Sequence, residues 1–222
     1  MAKSKVLAGI YNKDYFHMNK NWGDGYANYD KFSSKKTHPE GWLVGEILKH
    51  KHGGKVLDVG CALGYFVSFF PETFEKYGTD ISEFGISQAK KNFPNIHFKA
   101  ANICEEKPFK EKFDVITALD VLEHTLNIKG ALENLSSMLK DDGILIAEVP
   151  VATKMHHFLA AFGKSFLTTM DSHLILTTPK AWREIILAED FSVIKEKKVT
   201  WAGKYYPPLH LFSEFFLKKK KK

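Results

Sequence analysis

The sequence predicts an α/β fold, a doubly wound, mostly parallel sheet with an aromatic N-terminal cap and an apolar insertion after its fifth strand. Three observations predict it. Short apolar, β-prone runs alternate with segments of helical periodicity from about residue 40 to residue 199. The run Val56-Leu57-Asp58-Val59 leads into a turn with glycines at 60 and 64 and then an apolar, aromatic helix-like stretch from Tyr65 to Phe70. That is the layout of a nucleotide-binding strand–turn–helix unit, with the ligand at the carboxyl end of the strand. Finally, 222 residues with 44% hydrophobic and 14% aromatic content suffice for one packed domain with an extra lobe.

Residues 1–38 spread Tyr11, Tyr15, Phe16, Trp22, Tyr26, Tyr29 and Phe32 among Asn, Lys and Gly. They read as a cap that either anchors a loop to the core or serves as a lid over a ligand. A helix is expected from Pro39, which suits a first turn, to about His52, with Leu43 and Ile47 on one face and Gly53-Gly54 as its stop. Strands are expected at Lys55–Val59, Tyr77–Asp80, Ile96–Ala100, Phe113–Leu119 and Gly143–Val149. Ser82 caps a helix that carries Ile86, Ala89 and Phe93 on one face and ends before Pro94. Another helix near Ile128–Lys140 buries Leu132, Leu135 and Leu139.

Residues 151–177 break the alternation with an apolar insertion that includes Met155, Phe158, Leu159, Phe162, Phe166 and Leu167. Thr178-Pro179 then starts a helix to about Ala188, and Phe191–Val199 reads as a sixth strand. The resulting division is a cap at 1–38, a central domain at 39–203 and a C-terminal segment at 204–222. Pro207-Pro208 cannot lie in a central strand, so the sheet edge there is expected to be incomplete, or covered by the tail or a partner chain.

Composition excludes several classes. No apolar run approaches the ~20 residues of a membrane span, and the amino terminus is too short in apolar residues for a secretory signal. Two cysteines, Cys61 and Cys104, are too few for a disulfide scaffold or a zinc site. The histidines form no H-E-x-x-H pair, so no metal is expected. A reducing cytoplasm is the simplest compartment. The net charge of +6 falls to about +1 without the terminal lysine run Lys218–Lys222. Arg183 is the only arginine, which disfavours nucleic acid as a substrate. Leu209, Leu211, Phe212, Phe215, Phe216 and Leu217 precede the lysines, a pairing that would suit weak peripheral contact with an anionic membrane; a solvated terminal run is the alternative.

The glycine spacing G-x-x-x-G matches neither the dinucleotide loop nor the phosphate loop, and no lysine follows to hold a phosphate. Asp58 at the strand end favours a cationic or hydroxylated ligand. Asp80 follows it at close to the ~20-residue offset at which a carboxylate reaches a ribose hydroxyl pair, and a carboxylate can accept both hydroxyl hydrogen bonds.

These motifs together resemble the class I, Rossmann-like methyltransferases that use S-adenosylmethionine, in particular the small-molecule group that includes the ubiquinone-biosynthesis O-methyltransferases. Val56–Gly64 is similar to the first motif and Tyr77–Ser82 to the acidic end of the second strand. Phe113–His124, Phe-Asp-Val-Ile-Thr-Ala-Leu-Asp-Val-Leu-Glu-His, is similar to the fourth-strand motif. Leu139–Leu145 resembles the segment before strand five, with Asp141-Asp142 in place of the usual Pro-Gly. The likeness spans roughly residues 40–198.

The resemblance implies S-adenosylmethionine as cofactor, S-adenosylhomocysteine as product and a small-molecule methyl acceptor. It implies that Gly60 and Gly64 admit the amino-acid part of the cofactor, with Cys61 contributing a backbone contact. Asp58 would order the loop and, through water, the ammonium group. Ile81 would pack on the adenine and Asn102 would hydrogen-bond its edge. Ala101-Asn102-Ile103 stands where the family usually has an acidic residue and a small apolar one. Leu119 and Asp120 would lie beside the methionine portion.

Methyl transfer from a sulfonium is an in-line displacement in which proximity and orientation supply much of the rate. An acceptor protonated at neutral pH would benefit from a base. His124 is the first candidate, with Glu123 to orient it and a purely structural role as the alternative; His156, His157 and His173 are further candidates. The insertion at 151–177 is the expected acceptor pocket, suited to a substrate with an apolar or aromatic portion. The Asn-Pro-Pro-Tyr motif of amino-methylating nucleic-acid enzymes is absent, as is a Pro-Cys pair. A cofactor-binding accessory or scaffold protein without turnover is the competing reading.

Overall fold

Strand order explains how the site is placed. In the computed structural model, which describes residues 11, 15–16, 33–36, 38, 41–152, 175, 177–199 and 212–220, the first helix α1 (Leu43–Ile47) leads into β1 (Gly54–Val59). Then come α2 (Tyr65–Ser68), β2 (Phe74–Asp80), α3 (Glu83–Asn92), β3 (His97–Ala100) and β4 (Phe113–Leu119). A 3-10 turn at Leu122–His124 precedes α4 (Ile128–Met138), β5 (Leu139–Pro150), α5 (Pro179–Ala188), β6 (Phe191–Val199) and β7 (Phe212–Lys219). The seven strands run in the order β3-β2-β1-β4-β5-β7-β6. The first five pair in parallel, and β7 is antiparallel to both β5 and β6. The order reverses between β1 and β4, so a crevice opens at the carboxyl ends of these two strands, where α/β sheets bind ligands.

Alternation along the strands builds two cores. Leu57, Ile116, Leu145, Ala147, Phe215 and Leu217 face α4 and α5, against Leu132, Leu135, Trp182 and Ile186. Val56, Val115, Ile144, Ile146 and Phe216 face the other way, against Leu43, Ile47, Phe66, Val67, Ile86 and Ala89. Each of the longer helices starts on a side-chain cap: Ser82 Oγ accepts from Gly85 N, Asn127 Oδ1 from Gly130 N, and Thr178 Oγ1 from Ala181 N. Trp182, fully buried, donates its indole N–H to the Pro150 carbonyl at 3.0 Å and so ties α5 to the end of β5. On α1, Glu46 accepts from Lys49 and Lys195, each at 2.7 Å, and lies 3.3 Å from Lys197, binding the helix to β6.

Several expectations are corrected. The C-terminal aromatics belong to the sheet. Phe212, Phe215, Phe216 and Leu217 are buried on β7, which lies between β5 and β6, so their apolar surface is core and not a face for a membrane. The boundary expected at 203/204 therefore does not separate the C-terminal segment from the domain, and β6 forms the sheet edge. Pro207-Pro208 falls outside the described residues, as does most of the expected cap at 1–38 and of the insertion at 151–177. Strand β5 begins at Leu139, earlier than the expected Gly143, because the exposed Asp141-Asp142 sits within a strand that pairs Leu139 with Phe113 across an irregularity. Strand β2 likewise starts at Phe74, since Gly54 and Lys55 already have partners there. Within the described part of the expected Pro39–His52 helix, only Leu43–Ile47 is α-helical.

Among the described residues no helix is long and apolar enough to cross a membrane, and no group of three His, Cys, Asp or Glu is placed to hold a metal ion.

Candidate active site

The turn after β1 is shaped by its backbone. Gly60 has φ +76°, and its N–H and that of Cys61 both donate to the Thr79 carbonyl, at 2.8 and 3.0 Å. A Cβ at residue 60 would stand 2.3 Å from Val121 Cγ2, so only glycine lets the turn lie against the end of β4. Ala62 also has a left-handed backbone, φ +48°, and its N–H donates to Asp80 Oδ2 at 2.9 Å. The other oxygen, Asp80 Oδ1, accepts from Ser82 N at 2.8 Å. Asp80 thus joins the glycine turn to the start of α3. Burial pushes its carboxyl up from the usual carboxylate range, with the backbone N–H groups pulling the other way. The Ile81 N–H is a third backbone donor to it, and a carboxylate offers about four acceptor sites, so capacity remains for a ligand hydroxyl.

A cavity of about 320 Å³ opens at these strand ends. Of the expected residues, Gly60, Asp80, Ile81, Asn102, Ile103, Leu119, Asp120 and His124 line it. Asp58, Cys61, Gly64 and Glu123 do not. Asp58 is buried behind the wall, where its Oδ1 accepts from Thr117 Oγ1 at 2.7 Å across β1 and β4. The Cys61 thiol is buried, and burial, then the charges of Asp80 and Asp58, push it well up, so it is no nucleophile. Gly64, φ +83°, packs beneath Phe98, Ala89 and Phe93.

Ile81 and Leu126, the latter half-exposed, add apolar lining to the cavity. Asn102 borders it, and its Oδ1 accepts from Cys104 N at 3.0 Å, which leaves its amide nitrogen as a donor. The carbonyl of Ile103 accepts from Asn134 at 2.8 Å and so fixes this wall to α4. Asp120 leaves β4 with φ +52°, an uncommon backbone for a non-glycine residue, and donates its N–H to the Glu148 carbonyl at 3.1 Å. His124 follows on the 3-10 turn. Its Nε2 lies 3.7 Å from Glu123 Oε1, within ion-pair distance when the imidazole is protonated and beyond hydrogen-bond range.

The N-terminal cap also reaches the cavity. Tyr11, Tyr15 and Phe16 line it. Phe16 is buried among Ala62, Leu63 and Tyr65; Ser82 Oγ donates to the Tyr11 carbonyl; and the Tyr11 ring stands edge-on to His124 with centroids 6.3 Å apart. These aromatics were legible in the sequence as a lid or an anchor, and the described ones form part of the wall. Cys104, Glu105 and Leu126 also line the cavity without a motif to mark them, while Thr79 and Val121 line it from within the quoted motifs. Their signal is adjacency to Asp80, Asn102, Asp120 and His124. The candidate bases His156, His157 and His173 fall outside the described residues.

The site fits S-adenosylmethionine on its own geometry. Gly60 provides a close backbone approach, Asp80 a partly buried carboxylate, Ile81 and Leu126 apolar lining, and Asn102 a polar edge. Comparison with known proteins agrees. The chain matches the "Methyltransferase domain" family model over residues 40–196. It is 28% identical over 178 residues to (S)-coclaurine N-methyltransferase of Papaver somniferum, covering 76% of this chain and 50% of that one. It is 30% identical over 98 residues to a ubiquinone biosynthesis O-methyltransferase of Bradyrhizobium diazoefficiens, covering 42% of this chain and 39% of that one. The chain thus spans half or less of the length of these curated relatives. Magnesium protoporphyrin IX methyltransferase of Synechocystis, solved with bound S-adenosylhomocysteine, superposes with TM-score 0.68 at 15% identity, over 97% of this chain and 99% of that one. With the family model covering most of the chain and the sheet order and cavity in place, the chain belongs to the methyltransferase-domain family, with the Rossmann-like class I fold of S-adenosylmethionine-dependent methyltransferases.

Proposed function

We propose that this protein transfers a methyl group from S-adenosylmethionine to a small acceptor with an apolar or aromatic portion. The observation that carries the reading is a single cavity lined by Asp80, Ile81, Asn102, Asp120, His124 and Tyr11 together. The bound cofactor supplies an activated methyl group on a sulfonium. Asp80 holds the ribose hydroxyls, Ile81 and Leu126 enclose the base, and Asn102 donates to its edge. Asp120 and the backbone at Leu119 border the amino-acid portion. Tyr11 and His124 then flank the space left for the acceptor.

Support for an acceptor side next to His124 comes from the ends of the insertion. Ala152 N donates to the Thr177 carbonyl at 2.9 Å, and Ile175 N to the Glu123 carbonyl at 3.0 Å. Both ends of the apolar segment are therefore tied beside the cavity. An acceptor hydroxyl would give its proton to His124 as its oxygen bonds the methyl carbon and the carbon–sulfur bond breaks; an amine would attack through its neutral form and lose a proton afterwards. The relatives named above carry O- and N-methyltransferase names, so they support no single acceptor atom.

The test is a panel of phenol, alcohol and amine acceptors with S-adenosylmethionine, reading S-adenosylhomocysteine by mass spectrometry. Acceptor-dependent product is expected, reduced in His124→Ala with cofactor affinity retained. Tight cofactor binding with no turnover across the panel would support an accessory or scaffold role.

A further inference from the structure

Asn102 lines the cavity on a segment that is held from several sides. The Ala101 N–H donates to the Asp80 carbonyl at 2.9 Å, which joins the segment to the end of β2. The Asn102 carbonyl accepts from Glu105 N at 2.9 Å and from Glu106 N at 3.0 Å, closing a turn. Within that turn Asn102 Oδ1 accepts from Cys104 N at 3.0 Å. A backbone N–H can be accepted by the oxygen of an amide and not by its NH2 group. The Cys104 bond therefore fixes which way round the side chain sits, because flipping it would set one donor against another. The oxygen faces the turn, and the NH2 group, at the other corner of the planar amide, faces away from it. Among the described residues that nitrogen has no hydrogen-bond partner.

We infer that Asn102 is a specificity-determining residue that reads the cofactor's base as a donor, through a ring nitrogen, and that the site does not read the exocyclic amine. The inference rests on the reading of the cavity as the S-adenosylmethionine site. An adenine edge sets a ring-nitrogen acceptor, N1 or N7, on either side of the 6-amino donor, and a fixed NH2 group can pair only with the acceptor. Aspartate at the same position would keep one oxygen on Cys104 N and turn the other to the base, where it would accept from the amine. The two side chains have the same shape and opposite polarity, so one atom decides which part of the base is recognised. Glu105 also lines the cavity, and its exposed carboxylate is the rival reader of the amine. Asn102 is favoured because its amide is already fixed and half-buried, whereas Glu105 must be ordered from solvent before it can bond.

The experiment is calorimetric binding to the full chain, with no acceptor and no turnover. The ligands are S-adenosylhomocysteine and three analogues: one with hydrogen in place of the 6-amino group, one with C–H in place of N1, and one with C–H in place of N7. Wild type should bind the analogue without the amine within about threefold of S-adenosylhomocysteine, and one of the two deaza analogues about tenfold more weakly. That deaza penalty should vanish in Asn102→Ala. Asn102→Asp should reverse the pattern, with loss of the amine now costing about tenfold. A wild type that loses about tenfold with the amine, a wild type indifferent to both deaza analogues, a deaza penalty that survives Asn102→Ala, or an Asn102→Asp that ignores the amine overturns the inference. If the variants do not fold, the four ligands on wild type decide it. Wild type that binds no S-adenosylhomocysteine overturns the cofactor reading, and this inference with it. Equal affinity for all four ligands overturns this inference alone.

Discussion

The N–H of Ala62 points at Asp80 Oδ2 from 2.9 Å, so the carboxylate placed to hold a ribose also holds the glycine turn. The second oxygen does the same for Ser82, which in turn donates to the Tyr11 carbonyl. Asp80 therefore joins the turn to the helix start directly and to the N-terminal cap through Ser82.

Replacing Asp80 should cost twice. Asp80→Ala removes the hydroxyl acceptors and leaves the Ala62 and Ser82 N–H groups without their partner. Cofactor affinity should fall by more than about tenfold, and stability by about 1–3 kcal/mol for the stranded buried donors. Calorimetric binding and thermal melting read the two losses separately. Unchanged affinity would sink the ribose role.

Gly60 should not tolerate a side chain. At φ +76° an alanine incurs roughly 1–2 kcal/mol of backbone strain, and its Cβ meets Val121 Cγ2 at 2.3 Å. Gly60→Ala should therefore lower both the melting temperature and the affinity for S-adenosylhomocysteine. Adding Val121→Ala should recover the contact part and leave the strain. A double variant no better than the single would show that the contact is not what matters.

Glu46 makes stability depend on acid. Hydrogen bonds from Lys195 and Lys49, with Lys197 nearby, hold its carboxyl down at about 2. A folded-state pKa below the ordinary glutamate value stabilises the fold above the ordinary value, and that stabilisation is lost as pH falls through the folded value. The window thus runs from the ordinary glutamate value of 4.5 down to about 2. Glu46→Gln should lower the melting temperature at pH 7 by roughly 2–5 °C, given that the lysines are partly exposed. The wild-type advantage should shrink as pH approaches 2. An advantage that persists unchanged there would place the effect in packing.

Phe215 tests whether β7 is part of the fold. The side chain is fully buried between β5 and β6, so Phe215→Ala should cost about 3–5 kcal/mol in chemical denaturation. Lys219→Ala, which loses only an exposed pair with Asp141, should cost about 0–1 kcal/mol. Equal effects would mean that the segment contributes only charge.

Most of the sheet could be read from residue order. Phe113–Leu119, Pro179–Ala188 and Phe191–Val199 appear at their expected bounds, because β-prone runs and a proline-started helix are local signals. β7 escaped that reading. Phe212–Leu217 is as apolar as a core strand, but the lysines that follow it resemble a tail, and only pairing with two non-adjacent strands shows that its side chains point inward. The cavity divides the same way. Asp80, Ile81, Asn102 and Asp120 sit at the carboxyl ends of strands and were legible from that position. Asp58 carries the same local signal, but its strand faces it toward Thr117, behind the wall. Leu126 and Cys104 reach the cavity through turns whose path no periodicity encodes.

The place of β7 also sets an order of assembly. Among the described residues β6 pairs with β7 alone, which is later in the chain. During synthesis, β1 to β5 can close and shape the cofactor end of the cavity while β6 still has no partner. Only when Phe212–Lys219 arrives does the outer edge of β5 become covered. Until then an apolar strand edge is open to other chains. Lys195, Lys197 and Lys198 of β6 are already made in that interval, so the charge that later ties β6 to Glu46 also opposes pairing between like edges of nascent chains.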